Sequence, residues 1–333
     1  MCAGFVKGWL DARDIKVRQL EIRELPVLIA EVGNTDARTV VIHGHLDVVP
    51  GKAGQFEPVV SGDSLVGRGT YDMKGAVAAM MLALNDLKDQ DEIGVRLALV
   101  PDEEDDSEEY RGSDLVVDSG LAGDFAITGE PTDMHVGVAA KGVLAVRVQV
   151  SGTAAHGSTP WEGDNAILKA FDAFRRIESL PFTRESSELF DRPSINLGRI
   201  GGGDALNKVP DLCMIDVDIR YLPEQDPEAI LRDIRALPDC EIVSTFERPP
   251  VAVDPSSPYV VALCDAASSN HRDQATGVGR DGASDVISFL RVGVPAVEFG
   301  PSGGGHHGPE EWVSIESLAT YRSALVDFAS SAA

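Results

Sequence analysis

Apolar and polar positions alternate along Leu144-Ala145-Val146-Arg147-Val148-Gln149-Val150, the period of a strand with one covered face. Beyond it, Asp164 to Leu180 carries apolar residues at helical spacing behind an Asp/Asn start, which predicts a capped helix. Ser194 to Ile200 and Leu212 to Tyr221 read as two further strands, Asp226 to Leu237 as a helix, and Glu241 to Phe246 as a last strand. The order β-α-β-β-α-β is that of the ferredoxin-like split unit, which can close a compact domain by itself. On either side the pattern changes to short, continuous apolar runs. These are Thr39-Val40-Val41-Ile42, Val95 to Val100 and Asp124 to Thr128 before the middle unit, and Pro295 to Phe299 after it. Such runs alternating with helices predict an α/β domain whose central sheet is flanked by helices on both faces. That domain is expected to combine 1–141 with 250–333, interrupted by an inserted domain over 142–249.

The bulk numbers narrow the partners. A chain of 333 residues with 43% hydrophobic and 25% charged residues is long enough for a large core. Its formal net charge of −25 repels phosphate backbones and anionic bilayers, so no nucleic-acid or membrane partner is expected. Cys2, Cys213, Cys240 and Cys264 form no Cys-x-x-Cys pair, which gives neither a disulfide framework nor a thiolate metal site. The first residues lack the pattern of a secretory signal, and the longest apolar run, Ala76 to Leu84, is shorter than the roughly 20 residues of a membrane span. A reducing cytoplasm is the expected compartment.

The candidate chemistry lies where apolar runs end. Gly44-His45-Leu46-Asp47 closes the first run, and residues two apart on an extended segment point the same way, so His45 and Asp47 can face one cleft. Gly67-Arg68-Gly69-Thr70-Tyr71-Asp72-Met73-Lys74-Gly75 is a glycine-rich turn leading into an apolar helix, where Asp72 by itself reads as a helix cap. Pro101-Asp102-Glu103-Glu104 follows a buried strand, and the acidic residues after it, Asp105 to Glu109, read as a solvated loop. Gly129-Glu130-Pro131-Thr132 ends another strand, and His306-His307-Gly308-Pro309-Glu310-Glu311 follows the last. One acidic strand end is ordinary. Four strand ends and one helix start that bring His, Asp, Glu, Glu and His to one sheet edge have the composition of a divalent-cation site.

These motifs, in this order and with the inserted domain, resemble the di-zinc metallopeptidase family of acetylornithine deacetylase, succinyl-diaminopimelate desuccinylase, aminoacylase and glutamate carboxypeptidase. The resemblance runs from about Val6 to the C-terminus. It implies an α/β catalytic domain with an inserted ferredoxin-like lid or dimerisation domain, and two Zn2+ per chain, with Co2+ or Mn2+ able to substitute. It implies that His45 and Glu130 bind one ion, Glu104 and His307 the other, and that Asp72 bridges them. Asp47 would hold the imidazole of His45 in one tautomer, and Glu103 would be the general base. His307 is chosen over His306 because it stands in a His-x-Pro-x-Glu pattern, and His43 is left as a structural residue. In the inserted domain, Gly152-Thr153-Ala154-Ala155-His156-Gly157 matches the lid motif, which makes His156 the candidate oxyanion partner, acting across a homodimer. Asn207 and Arg220 become candidate binders of a substrate carboxylate, with pairing to Asp218 as the alternative for Arg220.

The implied activity is cleavage of the amide bond of an N-acyl amino acid, of deacetylase or desuccinylase type. The alternatives are a carboxypeptidase or dipeptidase using the same site, and, more remotely, a non-catalytic scaffold that kept the fold. Relatives usually carry another N-terminal helix and a Pro-Ser loop ahead of the segment matching Ala3 to Asp14, so the chain is expected to begin inside that region. The acidic stretch Asp105 to Tyr110 is longer than the small-residue turn usual in the family.

Overall fold

The continuous apolar runs become the parallel centre of a large mixed sheet. In the computed structural model, which describes residues 2–105, 110–270, 274–282 and 284–331, every residue of the strands Thr39–His45, Gly94–Val100, Phe125–Thr128 and Ala296–Phe299 is buried. The chain divides into two units, one of Met1–Val138, Val253–Val278 and Ser284–Ala333, the other of Ala139–Ala252 and Gly279–Ala283.

In the first unit the strand order is Val17–Ile22, Leu25–Gly33, Gly94–Val100, Thr39–His45, Phe125–Thr128, Ala296–Phe299 and Val136–Ala140. Thr39–His45 pairs in parallel with both neighbours, and Phe125–Thr128 in parallel with Ala296–Phe299, so all four strands end at one edge. Register fixes that edge: His45 lies opposite Val100, and His43 opposite Thr128. Residues of alternate parity face the two sides. Val40, Ile42, Val95, Leu97 and Leu99 join the core beneath the helices Gly75–Asp86, Pro258–Asn270 and Ile315–Ser331. The helix Gly75–Asp86 is rich in alanine and methionine because it is covered nearly all round, and Ala76, Met80, Ala83 and Leu84 have no exposed surface. Truncating Leu84 to alanine there would cost about 2–5 kcal/mol. The opposite sheet face receives the short helices Gly112–Asp118 and Val286–Arg291.

A second, small antiparallel sheet was not read from the sequence. Its order is Gly303–Gly304, Trp312–Ser314, Ser64–Val66 and Val59–Ser61, all pieces of two or three residues. By pairing Trp312 with Val66 it brings the His306-His307 loop beside the turn that carries Asp72.

The second unit is a four-stranded antiparallel sheet in the order Ser194–Gly202, Leu212–Tyr221, Gly142–Ser151 and Cys240–Arg248, with the helices Ala166–Ile177 and Pro227–Arg235 packed on it. Chain order is β-α-β-β-α-β. The alternation read along Leu144 to Val150 is explained by the buried Leu144, Val146, Val148 and Val150, which meet Cys213, Ile215, Val217 and Ile219 from the next strand. Of the expected Asp/Asn start, it is Asn165 that caps the first helix, accepting from the N–H of Ile167 at 3.0 Å. Asp226 caps the second ahead of Pro227. Gly279–Ala283 returns to this unit after the chain has left it, and nothing in the residue pattern announced that return. There Lys141 Nζ meets Asp281 Oδ1 at 2.7 Å, and the Lys141 N–H donates to the Arg280 carbonyl at 3.1 Å.

Candidate metal centre

The strand ends deliver their side chains to one place. His45, the last residue of its strand, is 1% exposed, and its Nε2 lies 3.0 Å from Asp72 Oδ1 and 3.9 Å from Glu130 Oε1. On the other side of Asp72, the Nε2 atoms of His307 and His306 lie 3.0 and 2.7 Å from Oδ2, and His307 Nε2 also lies 3.2 Å from Glu104 Oε1. Asp72 is thus central to two donor clusters, one with His45 and Glu104, the other with His306 and His307. Asp72 does not cap the helix that follows. Its backbone is non-helical, with φ −116° and ψ 97°, and no side chain caps the helix at Lys74. The carboxylate therefore turns toward the imidazoles.

Asp47 closes the cluster from below. Its Oδ1 lies 3.4 Å from His45 Nδ1, and its carboxylate accepts the backbone N–H of Glu103 at 3.3 Å and of Glu104 at 2.9 Å. One side chain thereby fixes both the imidazole and the turn bearing the paired glutamates. Glu103 and Glu104 point to different surroundings. Glu104 reaches His307, whereas Glu103 Oε1 lies 3.5 Å from Arg111 Nη1. Residues 106–109 of the expected solvated acidic loop lie outside the described residues.

Two buried groups that sequence reasoning did not single out hold the frame. Glu311 Oε1 accepts the N–H groups of Tyr71 and Asp72 at 3.0 and 3.1 Å, while its Oε2 meets Arg68 Nη1 at 2.5 Å. Arg68 Nη2 donates to the carbonyls of His307 and Gly308, each at 3.0 Å. The pair ties the Asp72 turn to the His307 loop. It also secures His307 in a left-handed backbone with φ 58°, a conformation costly for a non-glycine residue and common where function demands a particular side-chain direction. The only signal in the sequence was that Arg68 and Glu311 sit inside the quoted motifs.

The charges are crowded. Burial, then the negative charge of Asp72, holds Glu130 well above the usual carboxylate range, and the same two causes raise Glu104. Burial, then Asp285, pushes Glu103 up to about 8. Burial alone would raise Asp72 as well, but hydrogen bonds from His306, His307 and His45 outweigh it and hold its carboxyl far below the ordinary value. For His45, burial opposes the charge, yet Asp47 and Asp72 lift it well above the ordinary imidazole value. Glu130 Oε1 is buried without a hydrogen-bond partner among the described residues. Clustered carboxylates that disfavour one another's ionisation, imidazoles between them and an orphaned carboxylate oxygen are a donor set that fits hard-to-borderline divalent cations.

His156, Asn207 and Arg220 belong to the second unit. His156 is exposed, with Nδ1 2.8 Å from Ser158 Oγ. Asn207, also exposed, lies alongside, its carbonyl accepting the Gly157 N–H at 2.7 Å. Arg220 Nε bonds both carboxylate oxygens of Asp218 at 3.1 Å, the pairing weighed as its alternative role. His43 is fully buried in the first unit, with its ring edge-on to Phe289 at 5.4 Å.

Comparison with known proteins defines the class first: this is a hydrolase of amide or peptide bonds that uses a divalent metal. Residues 41–331 match the model of peptidase family M20/M25/M40, and the chain belongs to that family. A Staphylococcus aureus (strain Mu50) protein named "Probable succinyl-diaminopimelate desuccinylase" is 29% identical over 89% of this chain and 85% of its own length. A Mycobacterium tuberculosis H37Rv protein named "Putative succinyl-diaminopimelate desuccinylase DapE" is 30% identical over 84% of this chain and 78% of its own length. Among solved structures, the aminopeptidase PepT of Bacillus cereus superposes with a TM-score of 0.79 at 21% identity, covering 98% of this chain and 91% of its own. An M20 family metallo-carboxypeptidase of Sulfolobus solfataricus gives 0.76 at 18% identity, covering 98% and 92%. At these identities the structural likeness speaks for the fold.

Proposed function

We propose that the protein removes an acyl group, succinyl or acetyl, from the amino group of an amino acid, with two zinc ions held by His45, Asp72, Glu104, Glu130 and His307. The observation that carries this reading is Asp72, whose two oxygens face His45 on one side and His307 on the other at 3.0 Å each. The pairings of His45 with Glu130 and of Glu104 with His307 are supported by separations of 3.9 and 3.2 Å. The names of the sequence relatives favour an N-succinyl amino acid as substrate, and a dipeptide is the second choice.

Divalent cations in this cluster would supply Lewis acidity toward a water molecule and a substrate carbonyl. Glu103, which belongs to neither donor cluster, accepts the proton of the attacking water and passes it to the departing amine. Asp47 keeps His45 in one tautomer. His156 is proposed to stabilise the oxyanion across a homodimer, and Asn207 and Arg220 to bind the substrate carboxylate. Dimerisation is supported by Ser194–Gly202, an edge strand of its sheet with no second partner strand among the described residues, beside the exposed apolar Ile200 and Leu212. A cytoplasmic location is supported by four free cysteines.

Metal analysis with a hydrolysis survey over N-succinyl, N-acetyl and dipeptide substrates tests the reading. About two zinc ions per chain and activity abolished by chelation are expected. A full complement of metal with no hydrolysis of any of these amides would instead favour the scaffold.

A further inference from the structure

Glu103 is held from behind. Arg111 Nη1 lies 3.5 Å from Glu103 Oε1 and 3.7 Å from Asp285 Oδ1. The other oxygen of Asp285 accepts from Ser113 Oγ, and His43 Nε2 stands 3.8 Å from that oxygen. Arg111, Asp285, Ser113 and His43 are 3%, 2%, 0% and 0% exposed. Arg111 precedes the helix Gly112–Asp118, Ser113 lies in that helix, Asp285 precedes the helix Val286–Arg291, and His43 lies in the strand of His45. Arg111 is also fixed at its backbone, where its N–H donates to Asp114 Oδ2 at 3.1 Å, and at Nη2, which donates to the Asp105 carbonyl at 3.3 Å.

We propose that Arg111, ion-paired with an Asp285 that Ser113 in turn holds, is the positioning residue for Glu103: its guanidinium draws one carboxylate oxygen toward itself and so aims the other at the water that Glu103 deprotonates. The proposal rests on the reading of Glu103 as the general base. A glutamate has three rotatable side-chain bonds, and a base works only within about 2.6–3.2 Å of the proton it takes. A guanidinium already ordered by the fold removes that freedom before substrate arrives. A purely architectural role explains less. The two short helices are already joined on the surface by Arg291, whose Nη2 reaches Asp118 Oδ1 at 2.8 Å and Asp114 Oδ1 at 3.4 Å. Burying a further guanidinium and carboxylate costs desolvation that apolar side chains would avoid. The fork of Arg111 reaches past Asp285 to the glutamate that the chemistry needs.

The test uses Arg111→Gln and, because a lone buried Asp285 could prevent folding, the charge-neutral Arg111→Gln/Asp285→Asn double variant. With zinc loaded, both should keep wild-type metal content and KM while kcat falls about ten- to a hundredfold, as expected for a misaimed reacting group. Arg111→Lys should recover part of the loss. In a Glu103→Asp background, where the carboxylate is withdrawn from the guanidinium, Arg111→Gln should cost much less. A readout independent of turnover is the crystal structure of the chelated protein, with one Glu103 rotamer in wild type and more than one in both variants. Values of kcat within twofold of wild type in both variants, or a single unchanged Glu103 rotamer, would overturn the proposal. If wild-type protein carries its zinc but hydrolyses no acylated amino acid or dipeptide, the functional reading fails, while the rotamers still decide whether Arg111 holds Glu103.

Discussion

Replacing Glu311 by glutamine exchanges one oxygen for an NH2 group and should loosen two loops at once. Glu311 Oε1 serves the N–H groups of Tyr71 and Asp72, and Oε2 serves Arg68. A glutamine has one acceptor oxygen and one donor amide, so whichever partner keeps the oxygen, the NH2 group faces a donor on the other side. Hydrogen bonds to a charged group contribute about 1.5–3 kcal/mol each, and breaking a buried ion pair costs about 3–5 kcal/mol. Arg68 is 8% exposed and keeps the His307 and Gly308 carbonyls, which points to the lower part of that range, about 3 kcal/mol. Because the same bridge joins the Asp72 turn to the His307 loop, roughly half of that loss should appear as weaker cation binding, about tenfold. Urea unfolding of the chelated protein measures the first quantity, and competition with a chromophoric chelator measures the second. Glu310→Gln, at an exposed neighbour, is the control and should stay within about 0.5 kcal/mol. If Glu311→Gln unfolds with the control and binds zinc as tightly as wild type, the bridge does not hold these loops.

Glu103→Ala should retain its metal and lose on the order of a hundred- to ten-thousandfold in kcat, since only the proton carrier is removed; marked zinc loss by metal analysis would mean that Glu103 and Glu104 exchange roles. His156→Ala should lower kcat, and mixing it with Glu103→Ala protein should restore part of the activity if the imidazole serves a neighbouring subunit; no recovery places its action within one chain. His43 gives a pH prediction. Burial, opposed by Asp285 and aided by His45, lowers its pKa to about 4, against about 6.5 in the unfolded chain. Between these values the unfolded state binds the extra proton, so the contribution is complete above pH 6.5 and is lost as pH falls toward 4. In chelated protein His43→Gln should remove roughly 2 kcal/mol of the stability difference between pH 7 and pH 5, read from urea midpoints; an unchanged difference would refute the assignment.

The strands and the cluster were legible because both are local signals. Thr39 to Ile42 announces a buried strand by its own composition, and a His or Glu just beyond such a run must lie at a sheet edge. The split β-α-β-β-α-β unit was legible for the same reason, since period and capping are written in neighbouring residues. Asp72 was harder: an acid before a helix is ordinarily a cap, and only the non-helical backbone turns it toward the imidazoles. Arg68 with Glu311, and Arg111 with Asp285, were not legible as pairs. Their members are far apart along the chain, and a charged residue looks alike in sequence whether it ends in water or beneath a strand. The small sheet was missed because pieces of two or three residues are too short to show a period.

Gly279–Ala283 has a practical consequence for anyone dissecting the molecule. A contiguous fragment cut at Ala139 and Ala252 would leave the ammonium of Lys141, 6% exposed, without the carboxylate of Asp281. It would also uncover the ring of Phe190, against which Gly279 is seated so closely that an added Cβ would come within 2.8 Å of it. The smaller module is therefore discontinuous in the gene as well as inserted, and a faithful isolated version would need its last few residues grafted back.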